Sequence, residues 1–139
     1  MYTITREIHF CYGHRLLNHR GKCRHLHGHN GRVEIGLRSD ALDALGMVRD
    51  FDEIKQIVEK WIHANLDHRM ILCKADPMTP FLEDMREPYY LTDTNPTAEV
   101  ISKLIFDYTA SQGLPVTEVK LWETATSCAS YRPTNSGRL

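Results

Sequence analysis

The chain reads as an α+β fold in which two helices pack on one face of an antiparallel sheet. Three observations predict this. Apolar residues alternate with polar ones near both ends of the chain, two stretches between them repeat at helical spacing, and the order is strand, strand, helix, helix, strand, strand. With 139 residues and an apolar fraction of 42%, the chain suits one domain over 1–139 with a core of its own.

Residues 2 to 11 alternate, with Tyr2, Ile4, Ile8 and Phe10 on one face and Thr3, Thr5, Glu7 and His9 on the other. Residues 12 to 30, rich in glycine, histidine and basic side chains, read as a long loop, a length uncommon unless functional. Alternation resumes over 31 to 39, with Val33, Ile35 and Leu37 inward. Asp50 caps a first helix, with Glu53 three residues on, and Phe51, Ile54, Ile57, Val58, Trp61 and Ile62 form its apolar stripe. Asn95-Pro96 opens a second helix, asparagine as cap and proline in the first turn. Its stripe is Val100, Ile101, Leu104, Ile105 and Tyr108, and Gly113 and Pro115 end it. Strands are expected at 116 to 123 and 127 to 132, with a tail over 133–139. Between the helices, Arg69-Met70-Ile71-Leu72 and Tyr89-Tyr90-Leu91-Thr92 are expected to pair as a hairpin or insertion within 69–94, serving as surface elaboration, lid or subunit contact.

The formal net charge of −1 and the lack of a long basic run argue against a nucleic-acid partner. No apolar stretch reaches membrane-spanning length and no signal-peptide pattern is present, so a cytoplasmic location is expected. There the four cysteines, Cys11, Cys23, Cys73 and Cys128, are expected as free thiols. Arg15, Arg20, Lys22 and Arg24 form a local basic cluster, either a solvated loop or an attractor for an anionic substrate such as a phosphate.

The segment Cys23-Arg24-His25-Leu26-His27-Gly28-His29 carries the chemistry. Imidazoles two apart on an extended backbone point the same way and can grip one ion. A third histidine, such as His14, would complete a three-nitrogen site with one position left for water or substrate, as in catalytic zinc centres. A cysteine so close can act as acid or base beside the metal. Spacing does not choose among His14, His25, His27 and His29, and His9 and His19 are further candidates. Asp67-His68 follows the first helix, either a solvated helix end or a carboxylate orienting an imidazole for proton transfer. Glu123 shares the inward parity of Val119 and Leu121. A buried carboxylate needs a partner, either a core cation or a ligand with two parallel N–H donors such as a pterin-like ring.

Phe10-x-x-x-His14, Cys23-x-x-x-His27-Gly28-His29, Leu66-Asp67-His68, Asn95-Pro96-Thr97-Ala98-Glu99 and Trp122-Glu123-Thr124, in this order, resemble the 6-pyruvoyl-tetrahydropterin synthase / 6-carboxy-tetrahydropterin synthase family. The resemblance implies Zn2+ on His14, His27 and His29, a catalytic thiol at Cys23 and a catalytic pair at Asp67 and His68. It implies that Glu123 anchors the pterin, with Thr97 near the same pocket. It also implies the tunnelling fold: four antiparallel strands and two helices trimerised into a barrel, two barrels stacking as a homohexamer with active sites between subunits. The implied reaction is a carbon–carbon lyase step. It turns 7,8-dihydroneopterin triphosphate into 6-carboxy-5,6,7,8-tetrahydropterin, acetaldehyde and triphosphate on the route to 7-deazaguanines such as queuosine. The alternatives are the triphosphate-eliminating 6-pyruvoyl-tetrahydropterin synthase reaction, side-chain cleavage of unphosphorylated dihydroneopterin, or a zinc- and pterin-binding protein without chemistry. Two features depart from the family pattern: Cys11-Tyr12-Gly13 stands where small residues usually precede the first zinc histidine, and 69–94 is longer than the usual connection.

Overall fold

The computed structural model describes residues 1–134; the expected tail lies, from 135 on, outside the described residues. The described residues form six strands: β1 (Tyr2–His14), β2 (His27–Ser39), β3 (Arg69–Cys73), β4 (Tyr89–Thr92), β5 (Val116–Thr124) and β6 (Ser127–Tyr131). They lie in one sheet in the order β4-β3-β1-β2-β5-β6. The four expected strands are present as its antiparallel part, β1-β2-β5-β6. The four-stranded, purely antiparallel expectation is corrected by the other two, because β3 runs parallel to β1 and β4 parallel to β3. The 69–72 and 89–92 segments therefore pair, but not as a hairpin. A short helix, α3 (Thr79–Asp84), lies in their connection and carries the backbone to the same end of the sheet, as a parallel pairing requires.

The first helical region is continuous but not uniform: α1 (Phe51–Ile54), a π-helical segment (Lys55–Glu59) and α2 (Lys60–Asn65). Asp50 caps it by accepting the Asp52 N–H at 2.9 Å. The capping box is left half-made, since the Glu53 carboxylate pairs with Arg49 instead. Ile54, Val58, Ile62 and Leu66 are fully buried, every fourth residue. A pure α-helix at 3.6 residues per turn would rotate such a row off the core, and the wider π turn keeps it aligned. Phe51, expected in this stripe, is 48% exposed, because it precedes the first full turn.

The second long helix is α4 (Ala98–Ser111), and its cap is Thr97, whose Oγ1 accepts the Val100 N–H at 3.2 Å. Asn95 is not the cap. Its side chain instead bonds both backbone groups of Leu17, at 2.8 and 2.9 Å. The buried side of α4 is Ile101, Ser102, Ile105, Phe106 and Thr109, turned by about one residue from the expected stripe. The turn seats Phe106 against Tyr131 of β6, and the two hydroxyls that become buried are absorbed by the helix, Ser102 donating to Ala98 and Thr109 to Ile105. Trp61 stacks on Tyr108 at 4.4 Å and joins the two helical regions. Both cover one sheet face, where Ile8, Phe10, Val33, Ile35, Leu37, Val119 and Leu121 complete the core. Among the described residues no helix is long and apolar enough to cross a membrane.

Candidate metal centre and substrate cleft

The expected 12–30 loop is shorter than the sequence pattern suggests. β1 continues to His14 and β2 begins at His27, so the histidines stand on regular strand rather than on loop. His14 pairs with His27 across the ladder, and Tyr12 pairs with His29. Cross-strand partners share a face, and so do residues two apart. One register therefore brings three imidazoles together. Their ring centroids lie 4.5 Å (His14–His27), 5.1 Å (His14–His29) and 5.1 Å (His27–His29) apart. Each offers a nitrogen within 4.8 Å of the others.

Two of the three tautomers are set by backbone carbonyls. His14 Nδ1 donates to the Pro96 carbonyl at 2.8 Å, and His27 Nδ1 donates to the His25 carbonyl at 2.7 Å. Each Nε2 is thereby left with its lone pair free for a metal. His14 Nε2 and His29 Nε2 face each other at 3.2 Å. Two nitrogens on a tetrahedral zinc, each bonded at 2.0–2.1 Å, stand about 3.3 Å apart. The donor set thus fits zinc, with room for a fourth, exchangeable ligand. Burial holds the His14 imidazole below its ordinary pKa, against the opposing pull of the Pro96 carbonyl and Glu123. The neutral ring is the form that binds metal. His25 does not join: its Nε2 accepts from Arg24 Nε at 3.2 Å on the surface. His9 pairs with Glu7, and His19 accepts the Gly21 N–H.

Glu123 reaches the same centre from β5. Its carboxylate accepts the Tyr12 hydroxyl at 3.2 Å and lies 3.7 Å from His14 Nε2 and 4.0 Å from His29 Nε2. No core lysine or arginine pairs with it among the described residues. A cleft of about 320 Å³ opens here, lined by His14, Cys23, Thr97, Glu99, Glu123 and Cys128. Cys23 sits half-buried on a 3-10 turn, Lys22–Arg24. Thr97, as helix cap, has its hydroxyl oxygen engaged and its O–H free to donate.

Asp67 and His68 do touch: Asp67 Oδ2 accepts from His68 Nδ1 at 2.9 Å. The carboxylate is also held by the Cys11 N–H at 2.8 Å, and the His68 N–H donates to the Cys11 carbonyl at 2.6 Å. Burial pushes the Asp67 carboxyl up, but these two donors together hold it below its usual range. His68 adopts a left-handed backbone, φ +58°, uncommon for any residue other than glycine. Its ring is exposed and opens on a different cleft of about 510 Å³, with Cys11, His27, Met70 and Pro88. Cys23 and His68 therefore face separate clefts, His14 lining the first and His27 the second.

Sequence reasoning missed the supports of the loop. Arg15, assigned to the basic cluster, is not free. It forms a two-pronged pair with the buried Asp76, 2.8 Å from Nε and 2.5 Å from Nη2. With Asn95, which holds Leu17, it ties the start of the loop to the segments around Asp76 and Asn95. The Arg15 guanidinium holds the Asp76 carboxyl below its ordinary pKa, burial opposes it, and the Met78 N–H helps. A depressed carboxylate contributes stability that is present above its unfolded value of about 4 and is lost as pH falls through the lower folded value. Asp76→Ala is expected to lower unfolding free energy by roughly 3 kcal/mol at pH 7, since Arg15 loses its partner. The deficit should shrink as pH falls below 4, read from urea midpoints across pH.

A profile of 6-pyruvoyl tetrahydropterin synthase matches residues 3–134. The chain belongs to that family. It is 40% identical over 131 residues to the 6-carboxy-5,6,7,8-tetrahydropterin synthase of Rickettsia conorii, the match spanning 89% of this protein and 95% of that one. The Haemophilus influenzae protein of the same name is 30% identical, the match spanning 95% and 99%. Among solved structures, an uncharacterized protein of Wolinella succinogenes superposes with a TM-score of 0.81 at 27% identity over 96% of this protein and 98% of that one. The 6-pyruvoyl tetrahydropterin synthase of Caenorhabditis elegans superposes at 0.71 with 23% identity over 96% of each, which shows the shared fold. The protein is an enzyme of the tetrahydropterin synthase family.

Proposed function

We propose that this protein is a zinc-dependent lyase converting 7,8-dihydroneopterin triphosphate to 6-carboxy-5,6,7,8-tetrahydropterin, with acetaldehyde and triphosphate released, in 7-deazaguanine biosynthesis. The observation that carries the reading is the cleft in which His14 of the histidine cluster meets Cys23 and Glu123, a carboxylate that pairs with no lysine or arginine among the described residues. The bacterial relatives named 6-carboxy-5,6,7,8-tetrahydropterin synthase favour this chemistry over simple elimination.

Glu123 accepts two parallel N–H donors of the pterin ring and sets its depth in the cleft, and Thr97 donates beside it. His14, His27 and His29 hold the zinc. When bound, zinc supplies Lewis acidity that makes the protons on carbon and oxygen in the substrate's hydroxylated tail easier to remove. Cys23 removes a proton from that tail. His68 transfers another through Nε2, because Asp67 fixes the proton on Nδ1. Fixing the ring at Glu123 brings the reacting carbons to these groups, which is worth more than any one contact. Cys23 and His68 open on different clefts of one subunit, so the reading includes an assembly in which neighbouring subunits complete each site. A homohexamer of two stacked trimers in the cytoplasm is the proposed form.

The test is product analysis of zinc-loaded protein given 7,8-dihydroneopterin triphosphate. Mass spectrometry should find 6-carboxy-5,6,7,8-tetrahydropterin and a matching yield of acetaldehyde. A 6-pyruvoyl product without acetaldehyde would replace this reading with triphosphate elimination. Bound pterin and zinc with no product would leave a binding protein.

A further inference from the structure

We infer that Tyr12 is a positioning residue that fixes the Glu123 carboxylate for its ligand, and so sets how tightly the pterin ring is held. The inference rests on the pterin-anchoring role proposed for Glu123.

Tyr12 is 1% exposed, the largest fully buried residue of the core. Its only polar side-chain atom reaches out of that core to Glu123 Oε1 at 3.2 Å. A phenol carries its proton at neutral pH, so the hydroxyl is the donor and the carboxylate the acceptor. The ring cannot drift. It stacks on Phe10 at 5.0 Å, meets His14 edge-on at 5.3 Å and the tilted His29 ring at 5.6 Å. Space for it is made at Gly31, where a Cβ would stand 3.0 Å from Tyr12 Cε1, 3.2 Å from Phe10 and 3.3 Å from Leu121. The hydroxyl is thus a donor on a rigid mount.

Glu123 needs such a mount. Glutamate has three rotatable bonds, and its carboxylate lies at the end of β5 with 23% of the side chain exposed. Two histidine nitrogens also stand within 4.0 Å of it, His14 Nε2 near Oε1 and His29 Nε2 near Oε2. Gripping two parallel N–H donors requires the carboxylate plane to be held in one orientation. Tyr12 occupies one lone pair of Oε1 and leaves the remaining lone pairs of both oxygens for a ligand. Without the hydroxyl the carboxylate loses that fixed donor and its plane is free to rotate. Preorganising a charged acceptor in this way is the general route by which a neutral donor strengthens binding it does not itself make.

Tyr12→Phe removes one oxygen and keeps the packing. The expected result is about a tenfold weaker affinity for neopterin, read by fluorescence on zinc-loaded protein, the scale of one hydrogen bond to a charged group. KM for the triphosphate should rise by a similar factor with kcat within about threefold, because Cys23 and His68 are untouched. Zinc content should stay at the wild-type value. The decisive arm repeats the substitution in a Glu123→Gln background, where Tyr12→Phe should have little further effect. Equal losses in both backgrounds would make Tyr12 a packing residue only and overturn the inference, as would loss of zinc in Tyr12→Phe. Unchanged neopterin affinity in Tyr12→Phe, with affinity lost in Glu123→Gln, would overturn it while sparing the role of Glu123. Unchanged affinity in Glu123→Gln would remove the anchoring role itself.

Discussion

Cys23→Ala protein should fold, keep its zinc and lose turnover of 7,8-dihydroneopterin triphosphate by about 10²- to 10⁴-fold, the range for a missing general base. The thiol sits on a short turn outside the core, so deleting the sulfur opens no internal cavity. It is not among the three residues that cluster their donor atoms, so the metal has no reason to leave. Metal content and acetaldehyde release, measured on the same preparation, separate the two effects. Cys128 lines the same cleft and is the natural control: Cys128→Ala should retain turnover. If the two variants exchanged these behaviours, the reacting thiol would be the one on β6. If neither lost activity, thiol chemistry would be excluded from the reaction.

The second large effect is expected at His14. His14→Ala removes one of three donors and should abolish stable zinc binding and turnover together. It also leaves the Pro96 carbonyl without its hydrogen bond, a loss of about 1–3 kcal/mol in a buried setting. Metal bound only by the native fold raises its stability by mass action. A chelator should therefore lower the melting temperature of the wild type and leave that of His14→Ala unchanged. A variant that kept full zinc content and a chelator-sensitive melting curve would show that the ligand set lies elsewhere.

How much of this could be read from the residues alone depended on whether the signal was local. The inward parity of Val33, Ile35, Leu37, Val119 and Leu121 was legible because period-two alternation needs only a strand and a core. The convergence of His27 and His29 was legible for the same reason. The choice of His14 over His25 was not a matter of spacing, and the family resemblance supplied it. In the structure it follows from a strand that runs three residues further than its apolar pattern, which no alternation over Tyr12-Gly13-His14 announces clearly. The parallel placement of β3 and β4 was invisible, since pairing direction depends on where the intervening backbone travels. Asn95 looked like a helix cap because its chemistry suits one. The same amide suits bridging the backbone of Leu17, and tertiary contacts decided between the two uses. Tyr12 was recognisable as an odd residue close to His14; that its hydroxyl would find Glu123, 111 positions away, was not.

The wide turn at Lys55–Glu59 bears on where the backbone points after the helix. Each helical residue adds about 100° of rotation, so a single deletion there would swing everything downstream by more than a quarter revolution. Leu66 would leave its seat, and with it the Asp67–His68 pair that clasps Cys11. The surplus residue works as an angular spacer: it sets the compass bearing of a carboxylate–imidazole pair several residues away from it.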